Sequence, residues 1–90
     1  MVLEIKLEES SVTLKLLKNR TVLDTETAKY YHDLSEVLIS ALDKLLGRNK
    51  IDATALKSFK INSNLGQDST SYKIASAFVG ALKFRVGDRS

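Results

Sequence analysis

The sequence predicts an α+β fold in which a mixed four-stranded sheet, ordered 3-2-1-4, carries two helices on one face. Three observations lead to this prediction. Up to residue 25, apolar and polar positions alternate as they do along β-strands, whereas two later segments repeat apolar residues every three or four positions, as amphipathic helices do. A further short alternating segment lies between these two helices. The 90 residues contain no proline to mark a linker, so we expect a single domain, 1–90.

Three strands are expected to form an antiparallel meander at the start of the chain. Alternation over residues 2–8 predicts the first strand, and it resumes over residues 12–16 after the polar residues 9–11. Lys18-Asn19 is typical of a turn, and residues 20–25 then continue as the third strand.

A helix and a fourth strand follow the meander. Apolar residues at helical spacing predict the first helix over about 29–46, ended by Gly47 as its C-cap. Residues 55–61 predict the fourth strand, with Phe59 and Ile61 on one side. Because the helix joins the two, the fourth strand can lie parallel to the first through a right-handed crossover.

The second helix is predicted over about 70–83. It follows the polar loop 62–69, in which Asp68 is the expected N-cap. Residues 84–86 either extend this helix or begin a short strand. With both helices on one face, the order of elements is β-β-β-α-β-α.

The composition excludes several classes of function. The chain has no cysteine and one histidine, which excludes disulfides, thiolate zinc sites, iron–sulfur clusters, cysteine nucleophiles and His-rich metal sites. No run approaches the roughly 18 apolar residues of a membrane span, and the N-terminus lacks the order of a signal peptide. We therefore expect a cytoplasmic protein with no membrane partner.

The charge is unevenly distributed, although the net charge is only +3. Residues 1–46 carry a formal charge of −2, whereas residues 47–90 carry +5. A basic half can favour nucleic acid, so a small RNA-binding protein that uses the C-terminal half is the alternative function. The basic residues are scattered without an arginine cluster, which favours ordinary solvated surface.

Three segments resemble motifs of a known family. Leu34-Ser35-Glu36 in the first helix, Ile51-Asp52-Ala53 before the fourth strand and residues 64–74 are similar to motifs of the TsaB/YeaZ family. Its members are scaffold proteins of the bacterial machinery that makes threonylcarbamoyladenosine on tRNA. The resemblance implies one β-β-β-α-β-α half of a ribonuclease-H-like, actin-like fold. It also implies a non-catalytic scaffold, associated indirectly with tRNA, whose two helices contact a catalytic partner or a second copy.

The chain departs from the family pattern where nucleotide would bind. Lys6 stands where the family usually has an aspartate at the end of the first strand, and Gln67 and Asp68 replace glycine and serine in the loop. An actin-like ATPase uses such an aspartate to organise magnesium. We therefore expect a protein that is not an enzyme and has no catalytic, cofactor-binding or metal-binding residues and no small-molecule substrate.

Two clusters near the first helix have chemical alternatives. His32 and Ser35 are spaced as a base and a nucleophile can be, but no third group orients them. Tyr30 and Tyr31 beside Lys29 could stack on the bases of a single strand, as in some nucleic-acid-binding proteins. Aromatic residues at a helix entrance more often pack against the core, which is the interpretation we favour.

The two helices carry more apolar surface than one sheet requires. On a helical wheel, the apolar residues of the first helix span about 200°, whereas a helix lying on a sheet needs about 100°. Side-by-side packing of the helices would absorb part of the excess. Gly80 costs its helix about 1 kcal/mol unless another helix approaches closely. We therefore expect a homodimer, or a complex with a related actin-like protein, through Val37, Ile39, Leu42, Leu46, Ala75, Ser76, Val79 and Gly80.

Overall fold

Within the described residues, four strands and two α-helices follow one another in the predicted order. The structure, a computed structural model, describes the backbone of residues 1–66 and 69–87 and the side chains of residues 1–66 and 69–83. The elements are β1 (Val2–Leu7), β2 (Ser11–Lys18), β3 (Thr21–Lys29), α1 (Leu34–Asn49), a short 3₁₀ turn (Ala53–Ala55), β4 (Ser58–Ser63) and α2 (Thr70–Gly87).

The strands form one mixed sheet in the order β3-β2-β1-β4. β1 pairs antiparallel with β2 and parallel with β4, and β2 pairs antiparallel with β3. In this register Ile5 lies between Leu14 and Ile61. α1 covers β2 and β3, and α2 covers β1 and β4, on the same face of the sheet. The predicted fold class, strand order and helix placement are confirmed.

The core lies between that face of the sheet and the two helices. Alternate residues of β1 and β2 are fully buried: Leu3, Ile5, Leu7, Val12, Leu14 and Leu16. α1 covers them with Leu34, Leu38 and Leu45, and α2 adds Ala75 and Val79. Burying one side chain of leucine size stabilises a fold by about 1.5–3 kcal/mol. The alternation in the sequence therefore decides which face of the sheet the helices cover.

β3 extends further than predicted, to Lys29, and α1 begins at Leu34 instead of near residue 29. β2 offers pairing partners along this whole extension: Ser11 pairs with Lys29, and Thr13 pairs with Thr27. The two threonine hydroxyls are 3.0 Å apart and form a hydrogen bond. Pairing with a neighbouring strand outweighs the local helix signal of these residues.

α1 also ends later than predicted. Gly47, expected as the C-cap, lies inside the helix, and Lys50 takes the left-handed position with φ 55°. The Lys50 amide donates to the Gly47 carbonyl, and the Ile51 amide donates to the Leu46 carbonyl. This pattern satisfies two of the last carbonyls of the helix. Ile51 packs against the core directly afterwards, so the exit of the chain is fixed by burial rather than by a glycine.

β4 begins at Ser58 instead of residue 55 because Ala53–Ala55 forms the 3₁₀ turn. The Asp52 carboxylate accepts the Thr54 amide at 2.9 Å and caps this turn. The predicted orientation of the strand is correct: its apolar residues are half-buried on the helix side.

α2 reaches Gly87, so residues 84–86 extend the helix instead of beginning a strand. Ser69 acts as a side-chain cap at its start, because Ser69 Oγ accepts the Tyr72 amide at 3.1 Å. Asp68, the expected cap, lies outside the described residues.

Tyr30 joins three parts of the fold. Its ring is buried, with 4% of the residue exposed, as we predicted for an aromatic residue that packs against the core. Its hydroxyl donates to the Glu8 carbonyl at 2.7 Å and lies 3.1 Å from Ser71 Oγ. The end of β3 is therefore linked to the β1–β2 turn and to the first turn of α2.

Tyr30→Phe should lower the free energy of unfolding by about 1 kcal/mol, because it removes a hydrogen bond to a partly buried carbonyl while keeping the ring. Tyr31→Phe is the matched control. Since Tyr31 is 78% exposed, its variant should unfold at the wild-type urea concentration. Equal stability of the two variants in urea titrations would contradict the structural role of the Tyr30 hydroxyl.

Candidate interaction surface

Three of the residues predicted for an interface lie inside the core of the chain. Leu42 and Val79 are each 6% exposed, and Ala75 is fully buried. α1 and α2 pack against each other over the sheet, and this contact absorbs part of the broad apolar arcs. The prediction is corrected at these positions, because side chains covered by their own chain cannot contact a partner.

Ile39 is the large apolar residue of α1 that the core leaves uncovered, with 54% exposed. Val37 and Leu46 are half-buried and pack against the core. Val37 lies on the β3 side of α1, where it lines a groove with Glu26 and Ala28. Ile39 is about 160° from Val37 around the helix, so it lies on the flank that faces α2.

Four small residues lie on the outward face of α2, which also carries Lys73 and Lys83. Ser76, Ala77, Gly80 and Ala81 are all exposed. A Cβ built on Gly80 would meet nothing within 4 Å in the described part of the chain, so no helix of the same chain crosses there. These four residues and Ile39 define what we call the outer helical surface.

An ionic cluster joins the end of α1 to β3. Arg48 Nε donates to Asp24 Oδ2 at 3.0 Å, Nη2 donates to the Thr25 carbonyl at 2.8 Å, and Nη1 binds the Glu26 carboxylate. Asn49 Nδ2 donates to the same Asp24 oxygen at 3.0 Å. These hydrogen bonds, that of Arg48 first, hold the pKa of Asp24 below its ordinary value, and the two carboxylates raise the pKa of Arg48.

Local sequence patterns do not reveal this cluster, because Arg48 lies 24 residues from Asp24 and 22 from Glu26. Two acidic residues on one side of β3 are the signal that could have indicated it. Strand alternation places both on the helix side, where a basic residue at the end of α1 can reach them. Arg48 also donates a hydrogen bond to the Thr25 carbonyl of β3, which is an edge strand of the sheet.

The polar residues around the start of α1 do not form a buried site. His32 and Ser35 are both exposed, and no hydrogen bond joins them in the described structure. Tyr31 points to solvent, beside a hollow of about 330 Å³ that His32 and the start of α2 also line. Of the two tyrosines, Tyr30 belongs to the core and Tyr31 to the surface.

Lys6 lies in β1 between Thr13 and Asn62, on the sheet face away from the helices. Gln67 and Asp68, which depart from the family pattern of the loop, lie outside the described residues. Among residues 1–66 and 69–87, no group of three or more histidine, aspartate or glutamate side chains is arranged to hold a metal ion. Neither described α-helix is long and apolar enough to cross a membrane.

The basic residues of the C-terminal half do not gather on one face in the part of the chain that the structure describes. Arg48 is engaged with β3, Lys60 lies on the open face of the sheet, and Lys73 and Lys83 lie on the exposed side of α2. RNA binding by this half remains a prediction, and these positions do not provide it with a continuous surface.

Asp24→Asn should weaken the acid dependence of stability. Because folding lowers the pKa of Asp24, its interaction with Arg48 stabilises the fold above the ordinary value of 3.8 and is lost as the pH falls through the lower, folded value. Urea titrations from neutral pH to about pH 2 should therefore show a shallower decline for Asp24→Asn than for wild type below about pH 4. Asp43→Asn, at an exposed position of α1, is the control. Identical profiles for wild type and Asp24→Asn would contradict this role.

Comparison with known proteins bears on the fold. The chain matches no protein-family model and no curated protein. Among solved structures it is similar to YeaZ from Pseudomonas aeruginosa, with a TM-score of 0.79 and 17% identity over 96% of this chain and 39% of the YeaZ chain. The likeness at this identity is one of fold, and it confirms the fold that the sequence motifs implied. The chain therefore has the fold of part of YeaZ and spans 39% of the length of the YeaZ chain.

Proposed function

We propose that this chain is a non-catalytic interaction module that forms a homodimer through its outer helical surface. The observation that carries the proposal is the exposure of Ile39 on the flank of α1 that faces α2. An isolated exposed isoleucine is ordinary, but this one lies on the α2 side of α1, and the outward face of α2 carries four small residues. Such a face lets a second helix approach closely while a large side chain fills the space above it.

The spacing on α2 supports this arrangement. Ser76 and Gly80 are four residues apart, as are Ala77 and Ala81, so the pairs form two parallel rows along the helix. Each row can receive the ridge of a crossing helix. In a two-fold dimer the same patch occurs on both copies, and every contact is made twice. The Ile39 side chain of each copy can then pack against the small residues of α2 in the other copy.

The resemblance to the TsaB/YeaZ family suggests the biological role. In that family the corresponding helices contact a catalytic partner or a second copy, and the chain has Lys6 where magnesium would be organised by an aspartate. We infer a scaffold that serves threonylcarbamoyladenosine modification of tRNA and associates with tRNA indirectly. A related actin-like protein would use the same outer helical surface, and a cytoplasmic location follows from this role.

Ile39→Asp should convert a dimer into a folded monomer, because a charge is expelled from an apolar contact. Sedimentation of wild type at micromolar concentration should report twice the mass of one chain, and the variant should report the mass of one. Ser40→Asp adds the same charge at an exposed neighbouring position and should leave the dimer intact. Val79→Asp should unfold the chain, since Val79 is 6% exposed. A monomeric wild type at high micromolar concentration would refute the homodimer.

Gly80→Ala tests whether the contact involves α2. In the monomer the new methyl meets nothing within 4 Å, so alanine should stabilise the helix by up to about 1 kcal/mol. In a close helix–helix contact the same methyl should cost about 1–3 kcal/mol. We therefore expect the variant to melt higher at low protein concentration and lower where the dimer forms. Higher melting at every concentration would exclude α2 from the interface.

ATP with magnesium should bind no more tightly than millimolar, a limit that corresponds to about 4 kcal/mol. The physical reason is that Lys6 places a positive charge where a carboxylate would organise the metal ion. Isothermal titration calorimetry measures this directly. Micromolar binding would overturn the non-catalytic part of the proposal and leave the dimer untouched.

A further inference from the structure

β4 is an edge strand whose outer side has no partner among the described residues. The other edge, β3, is modified in two ways: its pairing with β2 is irregular between Leu16 and Leu17, and Arg48 donates to the Thr25 carbonyl. Irregular pairing and charged side chains are the usual means by which edge strands avoid further pairing. β4 shows no irregularity in its register with β1, and no side chain of a described residue forms a hydrogen bond with its outer backbone.

The backbone groups that β4 presents outward follow from its pairing. The Ser58 amide donates to the Met1 carbonyl at 3.4 Å and the Asn64 amide donates to the Leu7 carbonyl at 3.3 Å, so the amides at these even-numbered positions point towards β1. Because successive residues of a strand point their amides to opposite sides, the amides of Phe59, Ile61 and Ser63 point outward. Three alternate donors are therefore available along this edge to an added strand.

The two faces of β4 set the chemistry of such a strand. Phe59 and Ile61 face the helices but are only half-buried, although they pack against the core. An apolar side chain on the helix side of an added strand would pack beside these two residues and bury them further. Lys60 is exposed on the opposite, open face and forms no ion pair with a described residue.

On the open face of the sheet, positive and negative side chains alternate from strand to strand, and Lys60 is the outermost of them. Lys15, Glu4 and Lys60 occupy directly neighbouring positions on β2, β1 and β4. Opposite charges at neighbouring cross-strand positions are favourable, and like charges are unfavourable. The next position outward therefore favours an acidic side chain.

We propose that the outer edge of β4 binds an extended segment of a partner protein in which apolar and acidic residues alternate. The segment adds a fifth strand, with its apolar side chains beside Phe59 and Ile61 and an acidic one beside Lys60. A second copy of β4 fits this edge less well. Two-fold antiparallel pairing places Lys60 opposite Ser58, Lys60 or Asn62 of the other copy, and none of these supplies a negative charge.

The probe is a fluorescent, end-capped peptide, Thr-Ile-Glu-Ile-Thr, titrated with the full chain and followed by anisotropy. Its glutamate should make it bind about tenfold more tightly than the matched peptide with lysine at that position, and Lys60→Glu should reverse this preference. Lys73→Glu, which changes a lysine on α2 by the same charge, should not alter it. Ile39→Asp should also leave peptide binding unchanged, which separates this surface from the proposed dimer.

Two N-methylated peptides test the backbone pairing. In one peptide the methyl groups are on the amides that point to one edge of the strand, and in the other they are on the amides that point to the opposite edge. Exactly one of them should lose binding, since only one edge of the peptide faces β4. Equal binding of both N-methylated peptides, or no preference between glutamate and lysine, would overturn the proposal. Concentration-dependent dimerisation that Ser63→Pro abolishes would also overturn it, because this change removes an outward amide and the edge would then be occupied by a second copy.

Discussion

The pairing of β1 on both of its sides is the constraint on which the rest of the structure depends. Its three alternate side chains are fully buried, and a shift by one residue would turn Glu4 and Lys6 towards the core. The start of the strand is fixed as well, because the Met1 amino group donates to the Ala55 carbonyl and the Met1 carbonyl accepts the Lys57 amide. Register, choice of face and the position of β4 all follow from this strand.

Two contacts between distant parts of the chain then place the helices on the sheet. Tyr30 binds the β1–β2 turn and the first turn of α2, whereas Arg48 binds the end of α1 to β3. The Tyr30 contact is part of the core, whereas the Arg48 ion pairs lie at the rim of the core, where water weakens them. The apolar face therefore provides most of the stability, and these polar contacts determine where each helix begins and ends.

Local periodicity predicted the fold well because the buried residues of β1, β2 and α1 repeat without interruption. It failed where distant pairing decides the structure: β3 continues to Lys29 since β2 offers partners, and Gly47 lies inside α1 since Ile51 fixes the exit of the chain. For the interaction surface the helical wheel identified Ile39 and Gly80 as unusual. It could not separate them from Leu42 and Val79, because a wheel shows apolar surface without showing which part a neighbouring helix covers.

The outer helical surface and the edge of β4 depend on different interactions. The helical surface has small residues and one exposed isoleucine, so its contacts are shape-dependent and suit a symmetric partner. The edge presents backbone donors and Lys60, which forms no ion pair with a described residue, and these suit an extended strand of opposite charge. The first lies on the layer of helices and the second at the margin of the sheet. A two-fold contact through the helices uses no outward amide of β4, so each copy in a dimer would keep its strand edge available to a separate partner.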